Sequence, residues 1–196
     1  MDDIVQQAMS KWPDVPDCYG WLGLDARGYW RMRDARAQAL GLAGDKIAHV
    51  ALLAFINRNY GHDGRGCWYF QNGPQRVYVN LEATPYILRT DAAHGFLLHT
   101  GEPLGAIDAA CMTEEGQLIV RAGAVVGQLD DRDGAHLLAL LEHGGAAVDD
   151  DTLVAWLDGA DTALTLRRGE QRIAVQRINA ADIPAKFHFI RMPSSS

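Results

Sequence analysis

Cysteine is scarce in this chain, long apolar runs are missing, and basic charge is outweighed. Each shortage removes a class of protein. Three cysteines, Cys18, Cys67 and Cys111, are scattered over 196 residues. An odd count at wide spacing argues against a disulfide framework. Without close Cys-x-x-Cys or Cys-x-x-His pairs, a structural zinc site has no ligand set. No stretch approaches the roughly 18 apolar residues of a membrane-spanning helix. The opening "MDDIVQQAMSKW" is acidic and has no apolar centre, so it does not read as a signal peptide. The expected setting is a reducing bacterial-type cytoplasm, with no membrane contact. Phosphate-cradling and hydrolase signatures are missing as well: there is no GxxxxGK[ST], no GxGxxG between a strand and a helix, and no GxSxG elbow. No cofactor is expected.

The net charge of −7 repels phosphate backbones. One local exception, "RGYWRMRDAR", sets Arg27, Arg31, Arg33 and Arg36 around Tyr29 and Trp30, where aromatics could stack bases. It reads more simply as a strand with one solvated face. A protein partner or a second copy of the chain is therefore expected ahead of nucleic acid. What remains is ordinary for a folded domain, with 48% apolar and 22% charged residues.

Periodicity places a helix over Asp2–Trp12, stopped by Pro13 and Pro16, and then a hairpin bent at Asp25–Gly28. The segment "DKIAHVALLAFINRNY" predicts a buried helix over Asp45–Tyr60, capped by Asp45 and ended by a left-handed Gly61. A second hairpin and two short strands (86–89 and 96–99) lead to a candidate boundary near Gly101–Pro103. Beyond it come a hairpin bent at Glu114–Gly116 and a leucine-rich helix closed by Gly144. A short helix over Thr152–Leu157 and a last hairpin bent at Arg168–Glu170 follow. This pattern is α+β, mainly antiparallel sheet built from hairpins with a few packed helices. The expected organisation is an N-terminal lobe (1–101), a C-terminal lobe (102–191) and a disordered tail (192–196), or one continuous domain.

The densest signal is "RGCWYFQNGPQRVYVNLEATP". Alternation sends Trp68 and Phe70 to one side and Cys67 and Tyr69 to the other. Val77, Val79 and Leu81 share a side of the next strand, opposite Tyr78, Asn80 and Glu82. Only an even loop joins the two apolar sets. A loop of Asn72–Gly73 would ask Pro74 for an N–H it lacks, so a four-residue loop, Asn72–Gln75, is expected. It pairs Phe70 with Val77 and Tyr69 with Tyr78. The second face (Tyr69, Tyr78, Cys67, Asn80) is amphipathic, as in an interface or shallow pocket. A cover formed by Tyr19, Trp21 and Trp30 of the first hairpin is the plainer reading.

Two enzymatic readings stand beside it. Cys67 could be a nucleophile with His94 or His99 as base, and "YGHDGRGC" offers His62, Asp63 and Cys67 as mixed metal ligands. Neither carries a family signature, and a structural cysteine and a glycine-rich connector explain both segments. At "GCWYFQNGPQRVYVNLEATPYI" and "HGFLLHTG" the chain resembles a chiefly proteobacterial family of similar length, known only as a domain of unknown function. That resemblance implies a cytoplasmic bacterial protein and supplies no catalytic residue. The residues thus favour a non-enzymatic binding module using Tyr69, Tyr78, Asn80, Trp21 and Trp30, homodimer formation included. A Cys/His hydrolase or metal enzyme around His62, Cys67, His94 and His99 is the alternative.

Overall fold

The computed structural model describes residues 1–195. The chain forms two compact units: Met1–Pro85 together with the segment from Phe187 on, and Tyr86–Lys186. The first contains α1 (Asp3–Lys11), β1 (Cys18–Leu24), β2 (Trp30–Met32), α2 (Ala35–Ala39), β3 (Asp45–Lys46), α3 (Val50–Arg58), β4 (Tyr60–His62), β5 (Trp68–Asn72) and β6 (Gln75–Leu81). Its sheet runs β3-β2-β1-β6-β5-β4. Neighbours are antiparallel except β1 and β6, which are parallel.

Local chemistry explains most of these elements. The Asp25 carboxylate accepts the N–H groups of Arg27 at 3.0 Å and Tyr29 at 2.8 Å, and Gly28 at φ 79° closes the β1–β2 bend. In the central hairpin Phe70 faces Val77 and Tyr69 faces Tyr78, the register expected from alternation. The loop is shorter than expected, however, because the ladder continues to Asn72 opposite Gln75 and leaves only Gly73 and Pro74. Gly73 takes φ 58° at the first central position. Proline second then causes no conflict, since the closing donor is Gln75.

Helix α3 departs from expectation. It covers Val50–Arg58, because Asp45 and Lys46 pair with Met32 and Arg31 as an edge strand. The cap is His49, whose Nδ1 accepts the Leu52 N–H at 3.2 Å. Asn59 ends the helix by donating its side-chain amide to the Phe55 carbonyl at 2.9 Å, while Gly61 lies in β4 opposite Tyr69. Nor is the helix buried all round. Ile56 is buried and Phe55 meets Phe70 edge-on at 5.4 Å, but Val50 is 78% exposed. An apolar composition here marks a surface helix with one seated edge.

The C-terminal segment from Phe187 on belongs to this unit. Ile190 donates to the Gly66 carbonyl at 3.0 Å, and the Leu81 N–H donates to the Arg191 carbonyl at 2.8 Å. The segment thereby satisfies backbone groups at the start of β5 and the end of β6. Pro193 is buried; Ser196, part of the expected tail, lies outside the described residues. Gly66 sits at φ 82°, and a Cβ there would overlap the His188 carbonyl.

The second unit contains β7 (Tyr86–Asp91), β8 (Gly95–Leu98), β9 (Ala109–Met112), β10 (Leu118–Ala122), β11 (Val125–Leu129), α4 (Gly134–Leu140), β12 (Leu141–His143), β13 (Ala146–Ala147), α5 (Asp150–Leu157), β14 (Thr165–Arg168) and β15 (Gln171–Arg177). The helix α6 (Ile183–Phe187) carries the chain back to the first unit. The sheet order is β13-β12-β14-β15-β9-β10-β11-β7-β8, with β15/β9 and β11/β7 parallel. Leu88, Phe96, Met112, Leu118, Val120, Leu141, Trp156 and Leu166 form its buried core. The fold class is therefore α+β with mainly antiparallel sheet, as read from the sequence; the parallel pairs β1/β6, β11/β7 and β15/β9 make both sheets partly mixed.

Two expectations fail here for physical reasons. The division falls at Pro85/Tyr86 instead of Gly101–Pro103, because β7 pairs in parallel with β11 and carries β8 with it. Gly144 does not end a helix. Leu141 leaves α4 to pair with Leu166, and Gly144-Gly145, at φ 59° and 86°, turn β12 into β13.

Buried carboxylates brace this unit. Asp133 accepts Arg89 Nε at 2.9 Å and the Thr90 N–H at 2.6 Å, while Asp130 is gripped by the Arg132 guanidinium and accepts the Arg132 N–H at 3.0 Å. Burial alone would raise both pKa values. The hydrogen bonds outweigh it and hold both carboxyls below the usual range.

Two outcomes follow from these contacts. Gly66→Ala should lower stability by about 2 kcal/mol or more in urea unfolding, through positive-φ strain and the His188 overlap. Gly64→Ala, whose Cβ meets nothing within 4 Å, should stay within about 0.5 kcal/mol. Because folding depresses the Asp130 and Asp133 pKa values, their stabilisation is present at neutral pH and is lost as pH falls through the depressed values. Acid titration should show wild-type stability falling below about pH 4, with a shallower fall in Asp133→Asn.

Candidate functional site

The central hairpin has one face seated against α3. Its other face divides into a closed aromatic half and an open half at Asn80. In the closed half Tyr78 is 1% exposed and lies flat against Tyr19, with ring centroids 4.6 Å apart and planes 2° from parallel. This contact depends on an irregular stretch of β1. Cys18 faces Val77 and Leu22 faces Val79, so β1 holds two more residues than β6 over that interval, and Gly20 takes φ 81°.

The Tyr78 hydroxyl donates to Asp63 Oδ2 at 3.0 Å and accepts from Arg65 Nη2 at 3.1 Å. Asp63 also accepts the N–H groups of Arg65 at 2.9 Å and Cys67 at 3.0 Å. Burial opposes its charge, but these donors prevail and lower its pKa. For Tyr78, burial first and then the hydrogen bond to Asp63 push the phenol upward. Tyr69 is half-buried beneath the Arg76 guanidinium, 4.8 Å from its ring centre.

Of the residues expected to contact a partner, Tyr78 is therefore enclosed by its own chain. So is Trp30, which is 2% exposed and donates its indole N–H to Asn57 Oδ1 at 2.8 Å. Trp21 is 44% exposed.

The open half has another character. Arg31, Gly23 and Asn80 stand side by side across β2, β1 and β6. Gly23 leaves a gap in that row for no backbone reason: its φ is not positive, and a Cβ would stand at ordinary contact distances of 3.5–3.7 Å. A glycine inside a strand weakens it, and it commonly marks close approach by another backbone or a ligand. Above Gly23 lies a cavity of about 250 Å³. The loop Gly41–Ala43 forms one wall, and Leu42 and Met192 are exposed apolar residues on the lining.

The polar groups of the cavity differ in how fully they are engaged. Arg31 is neutralised by Asp25, at 2.8 Å from Nε and 2.7 Å from Nη2. Among the described residues Arg33 donates to backbone carbonyls alone, Nε to Leu42 at 3.0 Å and Nη1 to Gly20 at 3.3 Å. Glu82 Oε2 accepts the Ala26 N–H at 3.0 Å. Among the described residues none engages the Asn80 amide. Sequence reasoning reached Asn80 but missed Gly23, Arg33, Leu42 and Glu82. The interior glycine of "YGWLGLD" was the available signal.

The cysteine and histidine candidates are divided between the two units, and each has its contacts within its own. Cys67 is buried, and burial first, then the Asp63 charge, raises its thiol pKa, which disfavours the thiolate a nucleophile needs. His62 leans on the Trp68 ring at 4.9 Å, with Nδ1 3.0 Å from the Asp63 carbonyl oxygen. His94 and His99 belong to the other unit. There His94 Nδ1 meets Asp91 Oδ1 at 2.7 Å, and His99 Nδ1 accepts the Ile87 N–H at 3.3 Å. Among the described residues no three His, Cys, Asp or Glu side chains group to hold a metal ion. Nor is any helix long and apolar enough to cross a membrane.

Comparison with solved structures gives a fold likeness. The crystal structure of a DUF1285 family protein from Silicibacter pomeroyi DSS-3 aligns over 90% of this chain and 96% of that one, with a TM-score of 0.51 at 13% identity. At that identity the likeness concerns fold alone. The chain itself belongs to the family DUF2944, described as "Protein of unknown function (DUF2946)", which matches residues 1–194. No curated protein matches it. The family and the fold likeness point to no particular activity, and nothing in them supports the Cys/His enzyme.

Burial raises the pKa of all three thiols, Cys18, Cys67 and Cys111. Alkylation with iodoacetamide at neutral pH should therefore be much slower on the native protein than in urea. Rapid, selective labelling of native Cys67 would restore the nucleophile reading.

Proposed function

We propose that the protein is a non-enzymatic binding module that holds a small ligand in the cavity over Gly23 and Asn80. The observation that carries this reading is the side-chain-free strand position beside an uncommitted amide. Space and a hydrogen-bonding group coincide there without serving the fold. The volume of about 250 Å³ falls just short of common ligand pockets, which start at roughly 300 Å³, so the ligand is small.

A binding role suits the lining carboxylates better than catalysis. Asp25 is held by two backbone N–H groups and the Arg31 guanidinium, and Glu82 is anchored to Ala26, so both already brace turns. The stacked tyrosines then act as the rigid support of the site rather than its contact surface. A reducing cytoplasm suits the protein, because Cys18, Cys67 and Cys111 are all free thiols.

The test compares wild type with Gly23→Leu, whose Cβ finds ordinary contact distances and whose remaining atoms fill the cavity. Thermal-shift screening against small polar metabolites should find compounds that raise the wild-type Tm and leave the variant unmoved. Without ligand, the two melting temperatures should agree within about 4 °C. Binding that survives in Gly23→Leu, or a screen with no Gly23-dependent compound, overturns the reading.

A further inference from the structure

Resting on that reading, we infer that the ligand of the Gly23–Asn80 cavity is a free α-amino acid with an aliphatic side chain. The charge pattern carries the inference. Arg31 and Asp25 cancel one another at 2.7 Å, which leaves Arg33 as the cation and Glu82 as the anion. Arg33 commits Nε and Nη1 to the Leu42 and Gly20 carbonyls. A guanidinium has five N–H donors, so its Nη2 pair remains for a carboxylate. Glu82 commits Oε2 to Ala26, which leaves Oε1 for an ammonium.

Asn80, between these charges in the strand register, can accept from the ammonium or donate to the carboxylate. One cation and one anion of opposite duty complement a zwitterion of zero net charge. A phosphate or a polyamine would pair with one group and be repelled by the other. The cavity of about 250 Å³ is too small for a nucleotide, and Leu42 and Met192 offer apolar surface to an aliphatic side chain.

Isothermal titration with L-leucine and L-methionine, set against N-acetyl-L-leucine and L-leucinamide, tests the assignment. At least one amino acid should bind wild type, and each derivative, lacking one charge, should bind about tenfold or more weakly. Glu82→Gln should remove the preference for leucine over N-acetyl-leucine, and Arg33→Gln the preference over leucinamide. Because Arg33 also braces the Leu42 loop, the Glu82→Gln result and the wild-type derivative series stand independently of it.

Equal binding of either derivative to wild type overturns the zwitterion. If the amino acids fail while another compound binds in a Gly23-dependent way, the ligand class falls and the cavity reading survives. If nothing binds in that way, both fall.

Discussion

The parallel pairing of β1 with β6 is the constraint on which the first unit depends. Parallel neighbours cannot be joined by a tight turn, so the chain between them must travel out and return. Here that excursion contains β2 to β5 and the helices α2 and α3. The pairing also fixes which side chains stand abreast: Leu22 with Val79 and Leu24 with Leu81 in the buried layer, Gly23 with Asn80 on the opposite one. Shifted by one residue, the glycine would join the apolar layer and a leucine would stand where the gap now lies.

The same pairing accounts for the division between the closed and open halves. Near Cys18 the extra residues of β1 lift the strand and lay Tyr19 over Tyr78, while from Leu22 onward the ladder is regular and the cavity opens above Gly23. Electrostatics reinforces the closed half. Asp63 gathers donors from Arg65, Cys67 and Tyr78, so a charge that burial would suppress becomes the fixed point of the connector between β4 and β5. Cys67 lends that network only its backbone N–H. Its position in a conspicuous motif follows the geometry of the strand entry.

Much of this was legible in the sequence, and the failures share a cause. Alternation gave the register of the central hairpin, and the glycines at positions 28 and 116 marked their bends, because these are period-two and turn-chemistry signals carried by neighbouring residues. Parallel pairings between distant segments leave no such local mark, so the division of the chain and the place of its C-terminal segment were misread. The segment 45–60 showed the reverse error. Apolar composition implied burial, yet an edge strand claimed Asp45 and Lys46 and left Val50 in solvent. At the candidate site the aromatic residues drew attention because they are large. The informative position was a glycine, whose meaning appears only when its neighbours on β2 and β6 are known.

The interleaving of the two units along the chain has a consequence for biosynthesis. The second unit is drawn from one continuous stretch, Tyr86–Lys186, whereas the sheet of the first keeps backbone groups of Gly66 and Leu81 for residues 190 and 191. On a ribosome emitting roughly 5–20 residues per second, the earliest part of the chain waits several seconds for its last hydrogen-bonding partner. The unit begun before the other is thus sealed after it, and Met192, a wall of the cavity, arrives with the sealing segment.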